Sequence, residues 1–405
     1  MLLALFLFVA CDRPAPLPES APPDSTTRLT IAPSDSTLAQ LVADIDAKRE
    51  ELAIPGAAVA IATPDRVLMA RGFGLRNVDS ELPVTSSTLF AIGSCTKPFT
   101  SLAFAISADS GILSLDDSPR RFLPWFMLRD SVANAQVSFR DLLSHRTGVK
   151  MDDAQGWYQR HPTRERLIRF AMSGAPTERF RSSFQYNNFL YVAAGEALAA
   201  AHGTSYADVL HRTVFDALDM DATTTSLARV MSSSDFSYGY RGEAGDTARE
   251  GVSPRQMFWL DGIEAAGAIW TNADDIARWL RMLAGGGVLD GKRIVSDSLL
   301  RELLSPAVRA GGRHYGLGWF IENWHGERLY THAGGVSGFG ALCEFVPSLG
   351  LGWAILTNVD DGTLPRAVRE MIYESLVRTL SPTPRPSLST RRPPGTAIPS
   401  PTTRR

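Results

Sequence analysis

The sequence predicts an α/β (α+β) fold in which an antiparallel sheet is assembled from N- and C-terminal segments, flanked by helices, and interrupted by an inserted, mostly helical domain. Two observations predict it. Apolar runs joined by short turns stand near both ends of the chain, at "AAVAIATPDRVLMARGFG" and "GALCEFVPSLGLGWAILTNV". Between them, from about Pro98 to Leu300, the pattern is helical and rich in loops.

The elements follow in order. Leu38, Leu41, Val42, Ile45 and Leu52 recur at helical spacing and mark an opening amphipathic helix, with Ser36 or Asp35 as its cap. The first hairpin turns at Pro64-Asp65 and the second at Pro347 to Gly350. Leu364, Val368, Met371, Ile372 and Leu376 then line one face of a closing helix. Outside this folded unit, taken as residues 36–380, the composition changes. Residues 12–35 carry prolines at 14, 16, 18, 22, 23 and 33, and residues 381–405 carry seven prolines, five arginines and no acidic residue. Both segments are expected to be disordered, since neither can bury enough apolar surface to offset the entropy of ordering. The N-terminal one is expected to act as an extended spacer.

Residues 1–11, "MLLALFLFVAC", form an apolar run too short to span a bilayer. The run reads as a secretory signal, and "FVAC" resembles a bacterial lipobox in which Cys11 is lipidated. The expectation is an exported protein of the bacterial cell envelope, held at the membrane by an N-terminal lipid and facing the periplasm.

Bulk composition excludes several classes. The 405-residue chain is 44% hydrophobic with a net charge of -2, and it has no basic stripe of the kind that binds nucleic acid. Its three cysteines, Cys11, Cys95 and Cys343, have no metal-ligand spacing, and Cys95 and Cys343 read as independent buried thiols. There is no G-x-S-x-G elbow, no H-E-x-x-H and no dinucleotide or phosphate loop, so neither metal nor cofactor is expected. His145 reads as a structural histidine at a helix end, and Trp270, Trp279 and Trp319 read mainly as core. The expected partner is a small-molecule or peptide substrate, and the expected state is a monomer.

Chemistry is concentrated in "AIGSCTKPFT". In a helix Ser94 and Lys97 are neighbours on one face, so a hydroxyl stands beside an amine. A serine hydroxyl needs an adjacent base, and a lysine serves if burial depresses its pKa. Pro98 lacks an N–H and its ring crowds the carbonyl of Ser94, so the helix must begin near Ser94. Free N–H groups and the positive end of the helix dipole then favour a developing oxyanion there. Two later stretches join it. "FQYNNFLY" supplies Tyr186 and Asn188, and "YTHAGGVSGFG" supplies His332 followed by Gly334 and Gly335, where glycines permit a substrate backbone to approach an edge strand.

S-x-x-K, then Y-x-N, then H-x-G resembles the serine β-lactamase and penicillin-binding-protein superfamily. The nearest likeness is to the branch of class C β-lactamases, D-aminopeptidases, D-alanyl-D-alanine carboxypeptidases and family VIII esterases. "GILSLDDS", "VSFRDLLSHRTGV", "AAGAIWTNADDIARWL" and "YGLGWF" resemble it in order, across nearly the whole folded unit. The resemblance implies a β-lactamase/transpeptidase-like fold with Ser94 as acylated nucleophile and Lys97 as base or proton relay. It implies that Tyr186 shares the base role and protonates the leaving group, while Asn188 holds Lys97 and binds the substrate. The oxyanion hole would comprise the backbone N–H groups of Ser94 and Gly335. His332 stands where lactamases of this branch carry lysine, which disfavours a β-lactam carboxylate. The expected activity is therefore ester or D-amino-acid peptide hydrolysis, with a β-lactamase or a non-catalytic peptidoglycan-binding envelope module as alternatives.

Overall fold

The structure is a computed structural model and describes residues 31–150, 163–242, 246 and 249–378. The expectations for the apolar leader, for Cys11, for most of the spacer and for the Pro/Arg tail lie outside the described residues. Helix α1 spans Asp35–Glu51. Its cap is Ser34, one position earlier than the sequence suggested: Ser34 is extended, and its Oγ accepts from Thr37 N at 3.1 Å. Asp35 is already helical and sets its charge in the first turn, where the dipole favours it.

Nine strands form one sheet. They are β1 (Gly56–Ala62), β2 (Val67–Asn77), β3 (Leu82–Pro83), β4 (Val308–Ala310), β5 (Arg313–Tyr315), β6 (Phe320–Trp324), β7 (Glu327–Val336), β8 (Phe339–Val346) and β9 (Leu351–Thr357). Their order is β4-β5-β6-β7-β8-β9-β1-β2-β3, with every pairing antiparallel. The two ends of the chain meet where β1 pairs β9, from Ala57↔Thr357 to Ala62↔Gly352. Asn358 Oδ1 locks that seam by accepting from Gly56 N at 2.7 Å. The hairpin turns are where the sequence placed them.

β1 is buried along its whole length, as a strand covered on both faces must be. Val59 and Ile61 pack with Leu41 and Ile45 of α1, and with Leu364, Val368 and Ile372 of the closing helix α5 (Thr363–Ile372). Ala58, Ala60 and Ala62 point the other way, into the core shared with the inserted domain. Burying a side chain the size of Val, Leu or Ile contributes about 1.5–3 kcal/mol, so the α1–α5 layer is a large part of what holds the termini on.

The small residues on the other face let helices come close. Helix α4 (Ala273–Ala284) packs on β1 and β9, and a methyl at Gly352 would sit 3.3 Å from Leu280 Cβ. Helix α2 (Thr96–Asp109) runs behind it, buried from Thr96 to Ala105, as a helix central to a domain should be. Helix α3 (Asn188–His202) closes the inserted domain and ends at Gly203 in the left-handed region. Trp270, Trp279 and Trp319 are all core, with Trp279 stacked on Phe99 at 4.1 Å between ring centroids.

Candidate active site

Ser94 lies in a single 3-10 turn, Gly93–Cys95, that runs directly into α2. Pro98 is the third residue of that helix, so its missing N–H is one the first turn would leave unbonded anyway. Gly93 supports the turn with φ +50° and lies so close to β7 that a methyl on it would be 3.0 Å from Gly335 N. Gly334 faces the same turn, and a methyl there would lie 1.9 Å from Ile92 O. These glycines bring the strand edge against the serine, and at Gly334 that close packing leaves no room for a side chain.

Three side chains converge. Lys97 Nζ lies 3.0 Å from Ser94 Oγ, and Tyr186 Oη donates to the same oxygen at 2.7 Å. Lys97 is completely buried, and Nζ donates to Ala266 O at 2.8 Å. Burial holds its pKa well below the usual lysine value, opposed by the smaller effect of Cys95. The amine also stands 4.7 Å over the Tyr186 ring. Burial acts on Tyr186 in the opposite sense and pushes its phenol up, so it keeps its proton at neutral pH. The carbonyl of Ala266, which the sequence did not single out, thus accepts one of the amine's hydrogen bonds.

Tyr186 and Asn188 are placed by a loop that ends at Asn187, the cap of α3, whose Oδ1 accepts from Phe189 N at 2.9 Å. Asn188 is buried in the first turn of α3. His145 clamps this loop on both sides of Tyr186. Its carbonyl accepts from Gln185 N at 2.8 Å, and its Nδ1 accepts from Asn187 N at 3.2 Å. The residue is left-handed (φ +58°), fully buried, and packed at 4.5 Å against the Tyr186 ring. Burial and the nearby Lys97 charge push its pKa well below the ordinary histidine value. Asp141 ties down the start of the loop, accepting from Arg181 Nε at 2.8 Å and Arg146 Nε at 2.6 Å. The structural reading of His145 holds, but its position beside Tyr186 was not legible from "LLSHRTG" alone.

His332 takes a different place from the one its motif suggested. It is 2% exposed, with Nδ1 donating to Ala333 O at 2.7 Å and Nε2 3.3 Å from Tyr315 Oη. Burial, followed by the Lys97 charge, pushes its pKa down to about 3. The ring is therefore a neutral, internally bonded group behind the strand edge. β7 is also not an edge strand throughout. β6 pairs with it only as far as Phe320↔Thr331, and the stretch from His332 to Val336 pairs with β8 alone. That stretch has no strand partner on its other side; His332 O accepts there from Cys95 Sγ at 3.1 Å, while Ala333 and Gly335 are exposed.

Ser94 Oγ thus meets a buried lysine and a buried tyrosine at the junction of the terminal sheet and the helical insert. The Beta-lactamase family model matches residues 38–377, and the chain belongs to that family. Among curated proteins it is 27% identical over 339 residues to the unguisins hydrolase ungD' of Aspergillus campestris, covering 76% of this chain and 58% of that protein. It is 25% identical to penicillin-binding protein 4* of Bacillus subtilis, covering 68% of this chain and 62% of that one. The chain spans about three fifths of the length of these relatives. The solved octameric penicillin-binding protein homologue from Pyrococcus abyssi superposes with a TM-score of 0.71 at 26% identity, over 85% of this chain and 77% of that chain. EstCE1, a hydrolase with promiscuous acyltransferase activity, shares the fold with a TM-score of 0.70 at 20% identity, over 84% of this chain and 99% of that chain.

Proposed function

We propose that the protein is a serine hydrolase that acts through an acyl-enzyme on Ser94. The observation that carries this reading is the placement of Lys97 Nζ and Tyr186 Oη on one serine oxygen, with the lysine fully buried. A neutral amine that donates to Ala266 O keeps its lone pair for the Ser94 proton. Tyr186, held as a phenol, is unsuited to be the first base and suited to hand a proton to the leaving group. The division of labour is thus Lys97 as base and Tyr186 as acid, with Ser94 N and Gly335 N as oxyanion donors. Such donors are typically worth ~3 kcal/mol of barrier each.

The preferred substrate is an ester or a D-amino-acid amide, ahead of a β-lactam. A neutral, buried His332 cannot offer the fixed positive charge that a β-lactam carboxylate would meet at a lysine. In this reading His332 positions β7 and Tyr315 instead of meeting substrate. The relatives named as a hydrolase and as a penicillin-binding protein support acyl transfer as the common chemistry. The proposal includes export to the cell envelope with a lipid on Cys11, which a shift from detergent to aqueous phase on Cys11→Ser would test.

The reading is tested by measuring turnover of p-nitrophenyl esters, D-alanyl peptides and nitrocefin beside Ser94→Ala. Turnover of the esters or peptides that vanishes in the variant is expected. Uptake of neither a fluorescent penicillin nor a fluorophosphonate would instead indicate a non-catalytic binding module.

A further inference from the structure

Asp360 is a carboxyl beside the reactive strand that the acyl-transfer scheme does not use. It follows β9 on the turn into α5 and is half-buried. A methyl on Gly335 would lie 2.4 Å from its Oδ1 and 3.4 Å from its Oδ2. The carboxyl therefore rests on the exposed side of the residue proposed to donate to the oxyanion. An extended substrate lying along the open edge from His332 to Val336 must pass it. Burial, then the like charge of Asp361, push the carboxyl up to about 7. Of the basic residues on this side, Arg249 interacts with Asp246 and Asp361, and Arg366 lies beside Gly362.

We infer that Asp360 is a specificity-determining residue that receives a protonated amine carried within a few bonds of the scissile carbonyl. An ammonium docked there would favour the ionised carboxylate and offset its repulsion from Asp361. The same charge repels a substrate carboxylate, which fits a His332 that carries no compensating charge. The inference rests on the Ser94 reading for where the carbonyl lies, and it narrows the substrate to an amino-acyl ester or amide with a free amine.

Binding is measured apart from turnover. Calorimetry of D-alaninamide and N-acetyl-D-alaninamide on Ser94→Ala and on Ser94→Ala with Asp360→Asn reads the site without any reaction. The amine should bind about tenfold more weakly once Asp360 is neutral, the scale of a partly screened charge pair, while the acetylated compound is unaffected. Asp360→Glu, which keeps the charge, should retain most of the preference and guards against a folding artefact. Equal affinities of the two ligands for the parent, or equal weakening of both by Asp360→Asn, would overturn the assignment. In the protein with Ser94 intact, Asp360→Asn should raise KM for D-alanine p-nitroanilide about tenfold relative to its effect on KM for p-nitrophenyl butyrate. Failure to turn over either substrate would count against Ser94 chemistry, while the calorimetric result would still decide Asp360.

Discussion

The two faces of the nine-stranded sheet solve different problems. On the face toward the chain termini, large apolar groups such as Ile61, Leu342, Trp353 and Ile355 meet α1 and α5. Its one deeply buried charge, Glu344, is answered by Arg369, whose Nε donates at 2.9 Å, and by Trp353 Nε1 at 2.7 Å. On the opposite face β1 carries Ala58, Ala60 and Ala62 toward the core shared with the helical insert, and on that side of the molecule Lys97, His145 and His332 are buried. These groups are not paired with opposite charges. Burial lowers the pKa of Lys97, His145 and His332 and raises that of Tyr186, so each shift favours the uncharged form, as the proposed lysine base requires. One face supplies stability, and the other uses part of it to hold reactive groups in states that water would not allow.

If that division is right, variants on the two faces should separate activity from stability. Lys97→Ala should lower kcat/KM by about 10³-fold, within the range for loss of a general base, while the thermal midpoint stays the same or rises. Arg369→Ala should do the reverse. It strands a buried Glu344 carboxylate, which typically costs about 3–5 kcal/mol, yet the molecules that remain folded should keep their specific activity. Urea titration beside an activity assay separates the two outcomes, and a large loss of specific activity in Arg369→Ala would break the comparison.

His145→Ala tests whether the loop clamp is part of the reactive side. It should lower kcat by about 10²-fold through misplacement of Tyr186, with a smaller effect on KM. Equal loss of binding and rate would point to general unfolding of the loop.

A smaller effect is expected from pH. His332, with a folded pKa of about 3, and His145, also depressed, must shed their protons to fold. The unfolded chain binds protons at these histidines below about 6.5, so stability is fully present above that value and is lost as pH falls from 6.5 toward 3. The slope cannot exceed about 1.4 kcal/mol per pH unit for each histidine. Urea midpoints measured at pH 7 and pH 5 should therefore differ, and the difference should shrink in His332→Asn.

The architecture was legible because both hairpins and both terminal helices carry simple periodic patterns, such as Val59 and Ile61 on one face of β1. Ser94, Lys97 and Tyr186 were legible because their spacing resembles a known site and because Pro98 fixes where α2 can start. The rest depends on contacts between residues far apart in the chain. Ala266 is 169 positions from Lys97, and its contribution is a backbone carbonyl that no side chain announces. His145 reaches Asn187 across 42 positions through a left-handed residue that is not glycine. The inward orientation of His332 follows from strand alternation and from Tyr315, neither of which its H-x-G motif encodes. The cap at Ser34 differed by one position because "SDS" offers three acceptable caps in a row.

The central claim is that Ser94 is made nucleophilic by a buried, neutral Lys97. Fluorophosphonate labelling followed by peptide mapping tests it most directly, with wild type, Lys97→Ala and Ser94→Ala run together. A single adduct on Ser94, forming much more slowly in Lys97→Ala and absent in Ser94→Ala, is the predicted result. A stable adduct on a different serine, or labelling of Ser94 at an unchanged rate without Lys97, would contradict it.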